Sequence, residues 1–238
     1  MKHEFALYYA DNEFNNVSVK SRVILSDAQF IHRVTHVIRQ KVNEQFIIFT
    51  TTHVYTVIII EQVKNKLILE VIEKKKSAPC APPIYWLLPL LERAYFEEAV
   101  YNLAAMGAWT IQPVITEKSK SLRMSDRLNR IMIAACEQAK QFVIPEIKPV
   151  THLDTILNQS KNLIVFDPTG KPCFTVLSEL KQKKIESLTC LVGPEAGFSV
   201  AEQEKIFVHA SYICALTPTI LRAVDAVTVS MGIMRSCL

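Results

Sequence analysis

Along the first 75 residues, short β-branched or aromatic runs at 4–9, 21–25, 45–49, 54–60 and 66–71 alternate with Asp-Asn, Ser-Asp, Asn-Glu and Lys-Asn pairs. Runs of this length broken by turn formers predict β-strands. Only 27–39 has helical spacing, so the pattern predicts a small antiparallel barrel with one inserted helix. Residues 74–83, Lys-Lys-Lys-Ser-Ala-Pro-Cys-Ala-Pro-Pro, join a charge run to three prolines. Proline continues neither a helix nor a central strand, which predicts a linker and a division into 1–75 and 76–238.

Beyond the linker the period changes. Apolar runs at 84–89, 109–115, 163–166, 187–192 and 212–216 predict strands. Between them, Phe96, Val100, Leu103 and Met106 recur at helical spacing before Gly107. A long helix is predicted at 126–142 with Leu128, Ile131, Ala135, Ala139 and Phe142 on one side, and a shorter one at 200–209. A closing helix at 220–234 carries Ile220, Val224, Val227, Met231 and Met234 as a stripe. Continuous apolar strands separated by amphipathic helices predict a parallel sheet covered on both faces, so the fold class is α/β.

Composition narrows this only slightly. Half of the 238 residues are hydrophobic, which excludes a disordered chain. No apolar run approaches the roughly 20 residues of a membrane-spanning helix, and the start of the chain lacks a signal-peptide pattern, so a cytoplasmic protein without a membrane partner is expected. Six cysteines without a Cys-x-x-Cys pair read as small buried hydrophobes, and no metal is expected. The net charge of +4 is uneven: residues 1–76 carry 11 Lys and Arg against 8 Asp and Glu, leaving 16 against 15 for the rest. A polyanionic partner fits the first part of the chain.

Two segments concentrate the candidate chemistry. Leu191-Val-Gly-Pro-Glu-Ala-Gly-Phe-Ser199 and Leu216-Thr-Pro-Thr-Ile-Leu-Arg222 each join an apolar strand to a helix, and two of the chain's five glycines, Gly193 and Gly197, stand in the first. Ser199 with Glu202 three residues later forms a capping-box pattern that fixes the turn. In a parallel sheet ligands bind beyond the carboxyl ends of the strands, where a third turn, Asp167-Pro-Thr-Gly170, also qualifies. Neither the dinucleotide fingerprint nor the P-loop spacing is present, and there is no Gly-x-Ser-x-Gly elbow. His32 and His36, four apart, have no third ligand in view and read as a solvated or RNA-facing pair.

The Gly-Pro-Glu-Ala-Gly-Phe-Ser segment followed by Leu-x-x-x-Ile-Leu-Arg resembles the RsmE-type ribosomal RNA methyltransferases of the SPOUT superfamily. So do Ile31-His-Arg with Val37-Ile-Arg39, and Ala135-Cys-Glu-Gln-Ala139 with Ile144-Pro-Glu-Ile147, so the likeness spans nearly the whole chain. It implies an N-terminal PUA-like barrel and a C-terminal SPOUT α/β domain with a trefoil knot that dimerises and binds S-adenosylmethionine. The implied activity is methylation of N3 of a uridine in small-subunit (16S) ribosomal RNA, free or assembled in the subunit.

On this resemblance the cofactor site comprises Phe166, Asp167 and Pro168 from the first turn, with Val192, Gly193, Pro194, Glu195 and Gly197 from the second. Leu216, Thr217, Pro218, Ile220 and Leu221 come from the third. Arg222, an always-charged fork of donors, is the implied catalytic residue, because removing the uracil N3 proton builds negative charge on the base oxygens. Arg22, Arg33, Arg39 and Lys41 are candidate phosphate contacts.

Departures from the family pattern keep alternatives open. Where the family has Gly-Gly, Glu-Leu-Gly and Leu-Gly-x-Arg-Ile-Leu-Arg-x-Glu-Thr-Ala, this chain has Ala196-Gly197, Ala105-Met-Gly107 and Leu216-Thr-Pro-Thr-Ile-Leu-Arg-Ala-Val-Asp-Ala226. Gln141 replaces a usual arginine. A catalytically impaired RNA-binding or ribosome-assembly protein of the same fold, or a SPOUT enzyme acting on another RNA, also fits.

Overall fold

A computed structural model describes residues 4–10, 12–14, 16–183 and 185–238. The chain forms two compact units, Met1–Ala78 with Cys136–Val143, and Pro79–Ala135 with Ile144–Leu238. Residues 136–143, expected in the second domain, group with the first.

In the first unit β1 (Ala6–Tyr8), β2 (Arg22–Leu25), β3 (Gln45–Phe49), β4 (His53–Val63) and β5 (Lys66–Lys76) form one sheet in the order β1-β3-β4-β5-β2. The antiparallel expectation needs one correction, because β1 runs parallel to β3 while the other pairs are antiparallel. The alternation of β5, with Leu67, Leu69 and Val71 buried, turns one face inward. Helix α1 (Ala28–His32), capped by the Asp27 carboxylate on the Gln29 and Phe30 amides, continues as a wider helical turn over Arg33–Val37. It adds Phe30, Ile31 and Val34 to the same core as Phe46, Ile48 and Tyr55. Residues 74–76 are not a linker: they finish β5, paired with His53, Val54 and Tyr55 of β4. Alternation lets a strand carry three consecutive lysines where its outer positions face water.

The second unit holds β6 (Ile84–Pro89), α2 (Arg93–Ala105), β7 (Thr110–Ile115), the start of α3 (Arg127–Ala139), β8 (Glu146–Ile147), β9 (Thr151–His152), α4 (Leu153–Leu157), β10 (Leu163–Pro172), α5 (Cys173–Gln182), β11 (Leu188–Val192), α6 (Val200–His209), β12 (Tyr212–Ala215) and α7 (Ala223–Cys237). Its strands run parallel in the order β12-β10-β11-β6-β7-β8, with β9 also on β7. Successive strand side chains point to opposite faces. Leu87, Val165 and Leu191 pack with Leu153, Leu157 and Ile206 of α4 and α6. On the opposite face the Trp86 indole N–H donates to Met231 Sδ of α7 at 3.3 Å, and its ring stacks near Phe166. Asn102 Nδ2 of α2 donates to Thr228 Oγ1 of α7 at 2.8 Å.

Three helical expectations change. The buried stripe of α3 is Leu128, Met132, Ala135 and Cys136, while Ala139 is exposed and Phe142, past the helix, meets Phe49 within the first unit. The closing helix starts at Ala223, not 220, because the backbone is still extended at Arg222 (φ −62, ψ 153). Ile220, assigned to its buried stripe, is 87% exposed. Helix α5 was not anticipated. Four of the six cysteines are buried and Cys80 and Cys237 are half-buried; burial pushes the Cys136 thiol up to about 12.

Candidate active site

Gly170 closes the first strand-end turn. A Cβ there would lie 2.5 Å from the Ile213 carbonyl carbon and the Cys214 amide nitrogen, so only glycine lets β10 pass β12 this closely. The register of that pair breaks between Phe166 and Lys171, which makes Asp167–Gly170 a bulge inside β10 rather than a loop after it. Asp167 Oδ1 accepts from the Thr169 amide at 2.9 Å and its hydroxyl at 2.6 Å, fixing the bulge.

The second turn is tied at several points. Ser199 Oγ accepts from the Glu202 amide and Glu202 Oε2 from the Ser199 amide, the reciprocal capping box that the sequence predicts. Glu202 is buried, and its other oxygen accepts from the Glu117 amide just after β7 at 2.7 Å. Lys118 Nζ donates to the carbonyls of Phe198 (3.0 Å) and Ala196 (3.3 Å), and Glu195 accepts from the Glu92 amide ahead of α2. Within this rigid frame Gly197 takes φ +69, and a Cβ there would meet nothing within 4 Å.

These turns and the third one line one cavity of about 520 Å³, a size suited to a cofactor. Phe166, Asp167 and Pro168 line it, as do Val192, Gly193, Pro194, Glu195 and Gly197. From the third segment Leu216, Thr217, Ile220, Leu221 and Arg222 line it, but Pro218 does not. The fit to S-adenosylmethionine follows from the wall chemistry. Val192, Leu216 and Leu221 offer apolar surface, and a Cβ at Gly197 would meet only open space.

Sequence reasoning missed Tyr95, Phe198, Gln203 and Thr219 on the wall, and also Ala223, Val224 and Ala226 from the first turn of α7. Tyr95 had one available signal: it lies in the first turn of α2, just past the carboxyl end of β6, where ligands gather. Val224, which stands where the family has glutamate, is buried and brings no carboxylate to the cavity.

Arg222 is exposed at the cavity wall and precedes α7 directly. Its Nε and Nη2 donate to the two Asp225 oxygens at 2.7 and 3.0 Å, and its guanidinium carbon lies 5.6 Å from the centre of the Tyr95 ring. Asp225, and to a lesser degree Tyr95, push the arginine further into its charged range; reciprocally, Arg222 holds the Asp225 carboxyl below its ordinary value.

The candidate phosphate contacts separate. Arg39, in the left-handed region at φ +54, and Lys41 line a shallow concavity with His36, Gln40 and Gln62. Arg33 is instead paired at 2.7 Å with Glu137, which also accepts from the Tyr8 amide, and Arg22 stands on β2 opposite Glu70. The His32 and His36 rings stack 4.8 Å apart, and no group of three metal-ligating residues occurs among the described residues. No helix among the described residues is long and apolar enough to cross a membrane.

Residues 78–235 match the RNA methyltransferase domain family. A ribosomal RNA small subunit methyltransferase E of Buchnera aphidicola is 28% identical over 221 residues, 87% of each chain. The fold matches that of a ribosomal RNA small subunit methyltransferase E from Neisseria gonorrhoeae bound to S-adenosyl methionine, with a TM-score of 0.82 and 21% identity over 98% of each chain. A Legionella pneumophila protein solved with bound SAM gives 0.77 and 19% over 98% of each. The matched domain contains the whole cavity, and on that match the chain belongs to the RNA methyltransferase domain family.

Proposed function

We propose that this protein methylates N3 of a uridine in small-subunit (16S) ribosomal RNA, using S-adenosylmethionine. The observation that carries the reading is the convergence of three strand-end turns and Arg222 on one cavity, in a chain of an RNA methyltransferase family. The relatives named ribosomal RNA small subunit methyltransferase E supply the substrate class.

When bound, the cofactor supplies an electrophilic methyl group on a sulfonium. The tied turn at 193–199 and the Leu216–Leu221 segment would hold it, with Val192, Leu216 and Leu221 as apolar walls and Arg222 on the same cavity. An in-line displacement needs donor and acceptor held at attack distance, so rigid turns supply much of the catalysis. As N3 gives its proton to solvent, charge spreads onto the flanking base oxygens, and the Arg222 fork would donate to them or to the target phosphate.

The remaining parts of the reading have separate supports. The first unit serves as a PUA-like barrel reading RNA through Arg39 and Lys41, which share one concavity. The trefoil knot would lie in the C-terminal α/β part, where β12 sits at the sheet edge beside β10 and α7 returns to pack on β11 and α2. A homodimer would cover exposed apolar groups such as Phe174 and Ile220.

A second reading, an RNA-binding or assembly protein without turnover, rests on Val224. Calorimetric titration with S-adenosylmethionine, followed by methyl transfer onto purified small subunits, separates the two. Binding with transfer supports the enzyme, binding without transfer the second reading, and no binding removes the first.

A further inference from the structure

The Arg222–Asp225 contact is a solvent-exposed i,i+3 pair made at two points. Both Asp225 oxygens are engaged side-on, by Nε and Nη2, which fixes the guanidinium plane as well as its position. This contact uses two of the five N–H donors. Arg222 and Tyr95 line the cavity, whereas Asp225 does not. The centre of the Tyr95 ring lies 5.6 Å from the guanidinium carbon. Arg222 precedes α7 in an extended conformation, and Asp225 is the third residue of that helix, so the grip spans the junction of loop and helix.

An arginine on a long flexible stem loses much conformational freedom when it must meet developing charge in one orientation. A side chain already held in plane avoids that loss during the reaction. We propose that Asp225, assisted by Tyr95, is a positioning residue that pre-sets Arg222 for the methylated base or its phosphate. Asp225 acts through Arg222 and touches no substrate. The inference rests on the methyltransferase reading above, and it gives the position beside buried Val224 a role of its own.

A double-mutant cycle tests it, with single-turnover methyl transfer and S-adenosylmethionine affinity measured on each preparation. Asp225→Ala should lower the transfer rate roughly 3- to 10-fold, the worth of an ordinary hydrogen bond, with cofactor affinity within about twofold of wild type. Arg222→Lys should lower it roughly 10- to 150-fold. In the Arg222→Lys background Asp225→Ala should add almost nothing, because the group it orients is already gone. Asp225→Glu should recover part of the rate, and Tyr95→Phe should retain more of it than Tyr95→Ala. Additive losses, or an equal fall in cofactor affinity, would overturn the inference in favour of a structural role. Absence of transfer by the wild-type protein would instead count against the methyltransferase reading itself.

Discussion

Glu202 reaches across 85 positions of sequence to accept a 2.7 Å hydrogen bond from the Glu117 amide, while its other oxygen closes the capping box with Ser199. A single buried carboxylate thus ties the cavity turn at the start of α6 to the end of β7. Removing it leaves two amides without their acceptor. Glu202→Ala should cost about 2–4 kcal/mol of stability and weaken S-adenosylmethionine binding in parallel. Glu202→Gln, which keeps one acceptor oxygen, should cost about 1 kcal/mol. Chemical denaturation and cofactor titration check this, and an unchanged midpoint for Glu202→Ala would contradict it.

Gly170 predicts a purely structural effect. Its missing Cβ faces backbone atoms of Ile213 and Cys214 at 2.5 Å, and backbone cannot swing aside as a flexible side chain can. Gly170→Ala should destabilise by about 3 kcal/mol, a fall in thermal midpoint of roughly 6–12 °C. A midpoint within a degree of wild type would show that β10 and β12 separate easily there.

Gly197 predicts the opposite balance. No protein atom lies within 4 Å of its missing Cβ, so Gly197→Val should fold, at a cost of about 1–2 kcal/mol for holding a branched residue at positive φ. The added side chain lines the cavity, and S-adenosylmethionine binding should be lost. Wild-type affinity in calorimetric titration would mean that the turn does not hold the cofactor.

Sedimentation at micromolar concentration should report about twice the 27.0 kDa chain mass, as the proposed homodimer requires. A monomer there would contradict the dimer.

Much of this architecture is legible in the sequence because burial imposes a period. Strands β3 and β6 and helix α6 occupy the predicted ranges, since an apolar run or a capping box states where each begins and ends. Helix α5 carries Cys173, Val176, Leu177 and Leu180 at helical spacing, a pattern that Pro172 obscures from the front but permits, because proline is tolerated ahead of a first helical turn. The early start expected for α7 fails for a different reason. Ile220 and Leu221 continue the apolar spacing of the helix, but they are held by the turn over the cavity, where Thr217 Oγ1 donates to the Thr219 carbonyl. Periodicity records burial and does not distinguish a helix from a cavity wall.

The site divides similarly. Its three turns are legible from glycine placement and the carboxyl-end rule for parallel sheets. The grip of Asp225 on Arg222 is not, because α7 starts three residues later than its apolar pattern suggests, which changes what each residue of its first turn faces. Tyr95 joins Arg222 only through the packing of α2 on α7, a tertiary contact that no local spacing encodes. The separation of Arg33 from Arg39 and Lys41 has the same origin, since its partner Glu137 is distant in sequence.

Mass mapping of ribosomal RNA tests the central claim most directly. Small subunits from cells with and without this protein would be digested and compared before and after incubation with the purified protein and S-adenosylmethionine. The account predicts one N3-methyluridine in 16S ribosomal RNA that is missing without the protein, restored by the wild type and reduced with Arg222→Lys. Identical modification maps with and without the protein, or a restored methyl group on another atom or RNA, would contradict it.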